Sequence, residues 1–343
     1  MIAKCRTDLV GQDNRIPRHQ DHSMSDHRPS HRDTYTETYA GLPVACAYEI
    51  EDDEPTPLPD PASVAWRFEA SEWNDDAPES ISESFDWFFE NVDPAKVQAI
   101  VIGEWEECYD TDSAPIIARL AENAGRLPAL RSLFLGAITP EQAEISWIQQ
   151  SDITPLLEAF PRLERLEVRG GTGLRLAPVR HESLRVLRFE TGGLPAGVVR
   201  AVGGSDLPAL EHLELWFGVE EYGGDATTAD CAAILSGERL PALRHLGLQN
   251  SPFADELAAA VAGAPVVARL ESLSLSMGSL GDEGAAALLS GQPLTHLRWL
   301  DLDHHYLSTA MMERLAGALP GVEVRLSEPS DRDEDWRYVQ VSE

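Results

Sequence analysis

The sequence predicts an α/β protein built as a right-handed solenoid, with a parallel inner sheet, mostly helices outside and an N-terminal strand-helix cap. Three observations point there. An apolar phrase recurs almost verbatim, as "LPALRSLFLGA" (127–137), "LPALEHLELWF" (207–217) and "LPALRHLGLQN" (240–250). Its core, L-x-x-L-x-L, returns at intervals of 20–35 residues, the mark of a repeat architecture. The stretches between copies carry apolar residues at helical spacing.

In chain order, residues 1–40 are polar and aperiodic, carry His19, His22, His27 and His31, and read as a disordered tail in which Met24 offers an alternative start. Residues 41–96 form a capping region. In "SVAWRFEA" (63–70) Val64, Trp66 and Phe68 alternate inward as a half-buried strand, and "SISESFDWFFENVDP" (80–94) reads as an aromatic helix ending before Pro94. A stack of repeats must close its first hydrophobic cross-section with something atypical, and this unit sits where that plug is required.

The repeats span 97–326. The triplets are Val97-Ile100-Ile102, Leu130-Leu133-Leu135, Leu163-Leu166-Val168, Leu184-Leu187-Phe189, Leu210-Leu213-Leu215, Leu243-Leu246-Leu248, Leu270-Leu273-Leu275 and Leu297-Leu300-Leu302, with a degenerate ninth at Val322 and Val324. First-position spacings of 33, 33, 21, 26, 33, 27 and 27 leave room for a helix in most units. The 21-residue unit (163–183) is too short for a full one and predicts an extended or 3₁₀ return. Pro115 and Pro155 stand at first helical positions behind Ser113 and Thr154, and Ser308 or Thr309 is the N-cap of a helix through Met312, Leu315 and Leu319. Residues 327–343 are an acidic tail in which Trp336, Tyr338, Val339 and Val341 either close the last layer as a short strand or stay unstructured.

The string "LxxLxL…LGDEGAAALL" (270–289) resembles the leucine-rich repeat family in its ribonuclease-inhibitor-like subclass, and the chain is similar to cytosolic bacterial members of it. The resemblance implies a helix per repeat and a protein-binding role; ribonuclease-inhibitor-like proteins restrain nucleases. One departure stands out. Where the family often places Asn or Cys after the strand, this chain has Trp105, Ile138, Gly171, Gly192, Gly218, Ser251, Gly278 and His305, so the turns must be satisfied by backbone or water.

Composition narrows the function. The net charge is −31, and it falls on the body: residues from 34 onward hold 21 of the 27 basic and 53 of the 58 acidic residues. Such a surface repels phosphate backbones and anionic lipid, which excludes nucleic acid and membrane surfaces and leaves a basic protein or a cation as the partner, or solubility alone as the role. Cys5, Cys46, Cys108 and Cys231 are too scattered for a disulfide framework or a zinc site and read as reduced thiols. Without an apolar leader or an 18-residue apolar run, the expected address is cytoplasmic and the expected state a monomer. Two lysines, Lys4 and Lys96, against 25 arginines suggest a GC-rich bacterial genome.

In a parallel sheet, residues between the leucines form rows on the open face. One row reads Ala99, Ser132, Arg165, Val186, His212, His245, Ser272, Trp299, and the next Val101, Phe134, Glu167, Arg188, Glu214, Gly247, Ser274, Asp301. Strands about 4.8 Å apart bring Glu167, Arg188 and Glu214 together, and Arg169 against Glu190, as exposed pairs worth about 0–1 kcal/mol each. His212 beside His245 is a pH-sensitive pair, half a metal site, or two solvated imidazoles. Loops after the strands line one rim and combine Glu104, Glu106, Glu107, Asp110, Glu220 and Glu221 with Trp105, Tyr109, Trp147, Trp216 and Tyr222, the mixture a binder of basic partners uses; the alternative for each Trp is that it fills the layers above and below.

These residues predict a non-catalytic protein-interaction module with no cofactor. Its binding set is Trp105, Tyr109, Trp147, Glu167, Arg188, His212, Glu214, Trp216, Tyr222, His245, Trp299, Asp301, Asp303 and His304. The alternative is a metal-dependent enzyme or metal-binding protein using Asp301, Asp303, His304 and His305 with rim carboxylates, or an enzyme with Cys108 as a nucleophile. No HExxH, GxSxG, P-loop or dinucleotide fingerprint supports catalysis.

Overall fold

A computed structural model describes residues 37–48, 57–70, 77–330 and 336–343; the tail up to residue 36, with its four histidines and Met24, lies outside the described residues. Twelve strands form one sheet in which each strand neighbours the next in sequence. The first pair, β1 (Thr38–Tyr39) and β2 (Leu42–Cys46), is antiparallel, and every later pairing is parallel. The sheet continues through β3 (Ala65–Phe68), β4 (Ala99–Ile102), β5 (Ser132–Leu135), β6 (Arg165–Arg169), β7 (Val186–Glu190), β8 (His212–Trp216), β9 (His245–Gln249), β10 (Ser272–Ser274), β11 (Trp299–Asp301) and β12 (Glu323–Arg325).

All nine repeat strands thus sit on the apolar phrase. Two more, β1 and β2, extend the sheet beyond the cap strand read from sequence; "LPVAC" is short and half-buried, which hides it from a periodicity reading. Register follows the leucines: Leu133, Leu166, Leu187, Leu213, Leu246, Leu273 and Leu300 pair in succession, so the in/out alternation never slips.

The leucines face one side of the sheet, where a continuous core collects the return segments. Those segments are α1 (Ile81–Asn91) in the cap, then α2 (Ala114–Glu122), α3 (Thr154–Ala159), α4 (Ala196–Gly204), α5 (Ala232–Ser236), α6 (Ala254–Ala262), α7 (Asp282–Ser290) and α8 (Thr309–Ala318). No helix joins β6 to β7, where 3.6-residue periodicity is also lacking and Leu174 seals the core from an extended return. Each fully buried leucine contributes roughly 1.5–3 kcal/mol of transfer free energy, which no single unit could collect alone. The cap plugs the first layer with aromatic rings: Phe68 meets Phe85 at 4.5 Å and Phe88 at 4.9 Å between centroids, and Trp66 meets Phe88 at 5.6 Å.

Local signals held in part. Ser80 caps α1 and Ser308 caps α8, accepting from Ser82 N at 3.1 Å and Met311 N at 3.1 Å. Ser113 does not cap α2. Its hydroxyl pairs instead with Ser151, and the acceptors at α2 and α3 are Asp112 Oδ1 and Asp152 Oδ1, each 2.9 Å from the N–H two residues on. Turn satisfaction also differs from expectation, because carboxylates supplement backbone bonds between layers. Asp255 accepts from Gly281 N (2.7 Å) and Gly284 N (3.0 Å), Asp282 from Ser308 N (2.7 Å), and Asp225 from Ala196 N (2.6 Å). Cys46 is disulfide-bonded, which corrects the reading of all four cysteines as thiols; Cys108 and Cys231 are free and buried.

Candidate interaction face

The face of the sheet opposite the helices holds a depression of about 810 Å³ that runs from Tyr39 across to Arg325, so it spans the sheet from β1 to β12. Its floor changes character along the stack. At the N-terminal end Tyr39, Val44, Ala65, Ala99, Val101 and Phe134 form a small apolar cluster. The middle is ionic, and the far end carries imidazole, indole and serine.

The ionic part is a network held by strand register. Arg165 pairs with Glu167 at 2.9 Å; Arg188 reaches Glu167 at 3.7 Å, Glu190 at 2.9 Å and Glu214 at 2.8 Å; Arg169 meets Glu190 at 2.9 Å. Glu167, Glu190 and Glu214 are all buried, contrary to the expectation of exposed pairs. The cause is crowding: at strand spacing, each carboxylate is covered by a guanidinium from a neighbouring strand, Glu167 and Glu214 by Arg188 and Glu190 by Arg169. Three arginines balance three carboxylates, so the floor carries no net charge although the chain does. Burial alone would push the Glu214 carboxyl up, but Arg188 and the two imidazoles hold it well below the ordinary carboxylate range.

His212 and His245 are adjacent in register and stack at 4.0 Å, 20° from parallel. Their Nε2 atoms lie 2.9 Å and 3.3 Å from Glu214 Oε1. The pair is not two solvated imidazoles: His212 is half-buried, and His245 is buried, bonded through Nδ1 to Ser272 Oγ at 2.9 Å, and lies against Trp299 at 5.0 Å. Arg325 lies over the other side of Trp299 at 4.9 Å, a cation–π contact that leaves this indole half-exposed on the floor.

One feature of the face escaped the sequence reading. The residue after each first leucine alternates in charge along the stack, as Arg131, Glu164, Arg185, Glu211, Arg244, Glu271, Arg298 and Glu323. From Glu164 onward these residues edge the depression, with Arg185 on Glu211 at 2.9 Å, Arg244 on Glu271 at 2.6 Å and Arg298 on Glu271 at 3.3 Å. The alternation is carried by the sequence itself, in the repeat position just before the row that holds His212 and His245.

The rim residues divide. Tyr109 and Trp147 are exposed, and their loops are tied by Gln149, whose amide donates to the Tyr109 carbonyl at 3.2 Å and the Trp147 carbonyl at 3.4 Å. Trp105, by contrast, is buried in the main core, its indole donating to Thr111 O. Trp216 is buried too, in a small cluster with Ile145 and Met277 against which Val341 packs. Both take the layer-filling role that was the alternative to partner binding, because a layered stack needs its bulkiest apolar groups to fill the gaps under long loops. Tyr222 is half-buried beside Glu343.

The rim residues read as a metal alternative do not converge. Asp301 is buried and accepts from Ser274 at 3.0 Å and from Asp303 N at 3.1 Å; Asp303 accepts from Ser327 N at 2.6 Å. His304 faces the Tyr338 carbonyl at 3.2 Å, and His305 is enclosed by the Leu326 carbonyl and the Leu307 N–H. Burial pushes the Cys108 thiol up to about 12, which keeps it protonated at neutral pH.

The tail after residue 335 makes no strand but lies along the rim. Asn250 brackets Val341, accepting its N–H at 3.0 Å and donating to its carbonyl, while Gln340 N donates to Met277 O at 2.8 Å. Tyr338 N donates to Tyr306 Oη at 2.7 Å, and Arg337 meets Asp255 at 2.9 Å.

Among solved structures, a Bacteroides fragilis protein is 31% identical to this chain, covers 74% of it and is itself covered over 72%, with a TM-score of 0.69. This chain belongs to the same family. The shared stretch is long enough to include most of the sheet. An internalin of Listeria monocytogenes is also similar, at 16% identity and a TM-score of 0.39 over 67% of this chain and 54% of that one. No family profile and no curated protein matches.

Proposed function

We propose that the chain is a right-handed leucine-rich-repeat solenoid acting as a non-catalytic, monomeric protein-interaction module of the cytoplasm, with the open face of the sheet as its grip. The observation that carries this is the 810 Å³ depression spanning the sheet, whose polar side chains are locked by one another before any partner arrives. Preorganised side chains lose little entropy on binding, which is what a recognition surface needs. Sheet strands at about 4.8 Å spacing make β4 to β11 roughly 34 Å long, the scale of a globular partner's face.

The partner is a basic protein. The floor is self-neutralised, so long-range steering falls to the remaining acidic surface of a chain with net charge −31, and anchoring to Trp299 on the floor and to Tyr109 and Trp147 on the rim. Pull-down from the native host at moderate salt tests the reading. A stoichiometric partner is expected that weakens with rising salt and is lost on combined Trp299→Ala, Tyr109→Ala and Trp147→Ala. Retention by that triple variant overturns the assignment of the face.

A further inference from the structure

We propose that His212, Glu214 and His245 form a binding site for one divalent transition-metal ion of the zinc class on the floor of the depression. This goes beyond the protein-binding reading and does not depend on it. Among the described residues, this is the group of three potential ligands whose donor atoms converge, all lying within 4.8 Å of one another. Two imidazole nitrogens and one carboxylate oxygen are a donor set suited to Zn²⁺ or Co²⁺, and zinc sites with an open position use three such protein ligands.

The surroundings are built to hold these atoms. Arg188 Nε engages Glu214 Oε2 at 2.8 Å, which leaves Oε1 turned to the imidazoles. Ser272 Oγ sits 2.9 Å from His245 Nδ1, the outer-shell contact that fixes a ligating histidine's orientation and tautomer. With Nδ1 holding the proton toward Ser272, His245 Nε2 presents a lone pair. That nitrogen is buried and makes no well-directed hydrogen bond, although Glu214 Oε1 lies 3.3 Å away. An ion seated between that nitrogen and Glu214 Oε1 takes the place of the proton through which the imidazole otherwise supports the carboxylate. Donor separations of 2.9 and 3.3 Å already approach the spacing that metal–ligand bonds of about 2.0–2.2 Å impose.

The rings now stack nearly parallel, so their Nε2 lone pairs run side by side toward Glu214. Seating an ion requires each imidazole to swing about its Cβ–Cγ bond until the lone pairs converge. His212 and His245 line the depression, which is the side from which an ion reaches them. Arg188 competes with the ion for Glu214, which sets a moderate affinity and excludes a site that grips metal permanently.

The test uses the full chain without an affinity tag, stripped with chelator, and a second form with His19, His22, His27 and His31 all changed to Gln to remove tail histidines. Titration with Co²⁺ read by visible absorption, and with Zn²⁺ read by calorimetry, is expected to give one equivalent in both forms. His245→Ala and His212→Asn are expected to weaken binding more than tenfold while circular dichroism shows both apo proteins folded; Glu214→Gln gives the same loss where it folds. Absence of stoichiometric binding overturns the site, as does binding that survives His245→Ala or disappears with the four tail histidines.

Discussion

Replacing Arg188 by Met removes the cation that touches three buried carboxylates at once, and the structure says where the cost falls. Glu167 keeps Arg165 at 2.9 Å and Glu190 keeps Arg169 at 2.9 Å, so neither is stranded. Glu214 keeps two imidazoles but loses its one guanidinium, at 2.8 Å. Breaking a buried ion pair by deleting one partner typically costs about 3–5 kcal/mol, because the survivor's charge stays desolvated. Residual help from His212 and His245 places Arg188→Met near the lower end, about 3 kcal/mol. The double variant Arg188→Met, Glu214→Met removes the stranded charge and is expected to recover most of that loss. Urea unfolding followed by circular dichroism measures both, with the denaturant slope unchanged if the folded states are comparable. A single-variant loss below about 1 kcal/mol, or a coupling energy near zero across the four-protein cycle, would refute the picture of one interlocked floor.

Three further outcomes are expected. Leu213→Ala, at a fully buried central position, should cost about 2–5 kcal/mol by urea unfolding, since neighbouring layers on both sides hinder collapse of the cavity. Acid should weaken the fold through His181 and His305, whose rings each accept a backbone N–H at Nδ1 and meet a carbonyl through Nε2. Desolvation holds both below the ordinary histidine value, so the unfolded chain takes up protons first. Their contribution is complete above about pH 6.5 and is lost as pH falls through the folded-state values, and a His181→Gln, His305→Gln variant should flatten the pH profile of melting temperature there. Finally, Asn250→Gly, which keeps the left-handed backbone at φ 54° but removes the amide, should free the C-terminal segment, read as faster hydrogen exchange at Gln340–Ser342.

Much of the fold was legible because a stack imposes one requirement on every layer. Leu213 and its counterparts repeat for a physical reason that is local to the unit, so the triplets located nine strands, and the open-face rows His212, His245, Ser272, Trp299 and Glu167, Arg188, Glu214 came out in true register.

The candidate site was half legible. Which residues are neighbours followed from register, but how deep they lie did not: Glu214 and His245 are sealed by Arg188, Ser272 and Trp299 from other layers, and no single layer's sequence carries that information. The same limit explains Trp105 and Trp216. Their spacing placed them on rim loops, while packing under those loops and beside Val341 turned them inward.

The sequence by itself determined the repeating unit, its register and the acidity of the body, all properties of short segments and their sums. Tertiary structure alone decided burial, the convergence of His212, His245 and Glu214 on one point, and the path of the tail across the rim through Asn250, because each depends on side chains reaching between layers 20 to 90 residues apart in the chain.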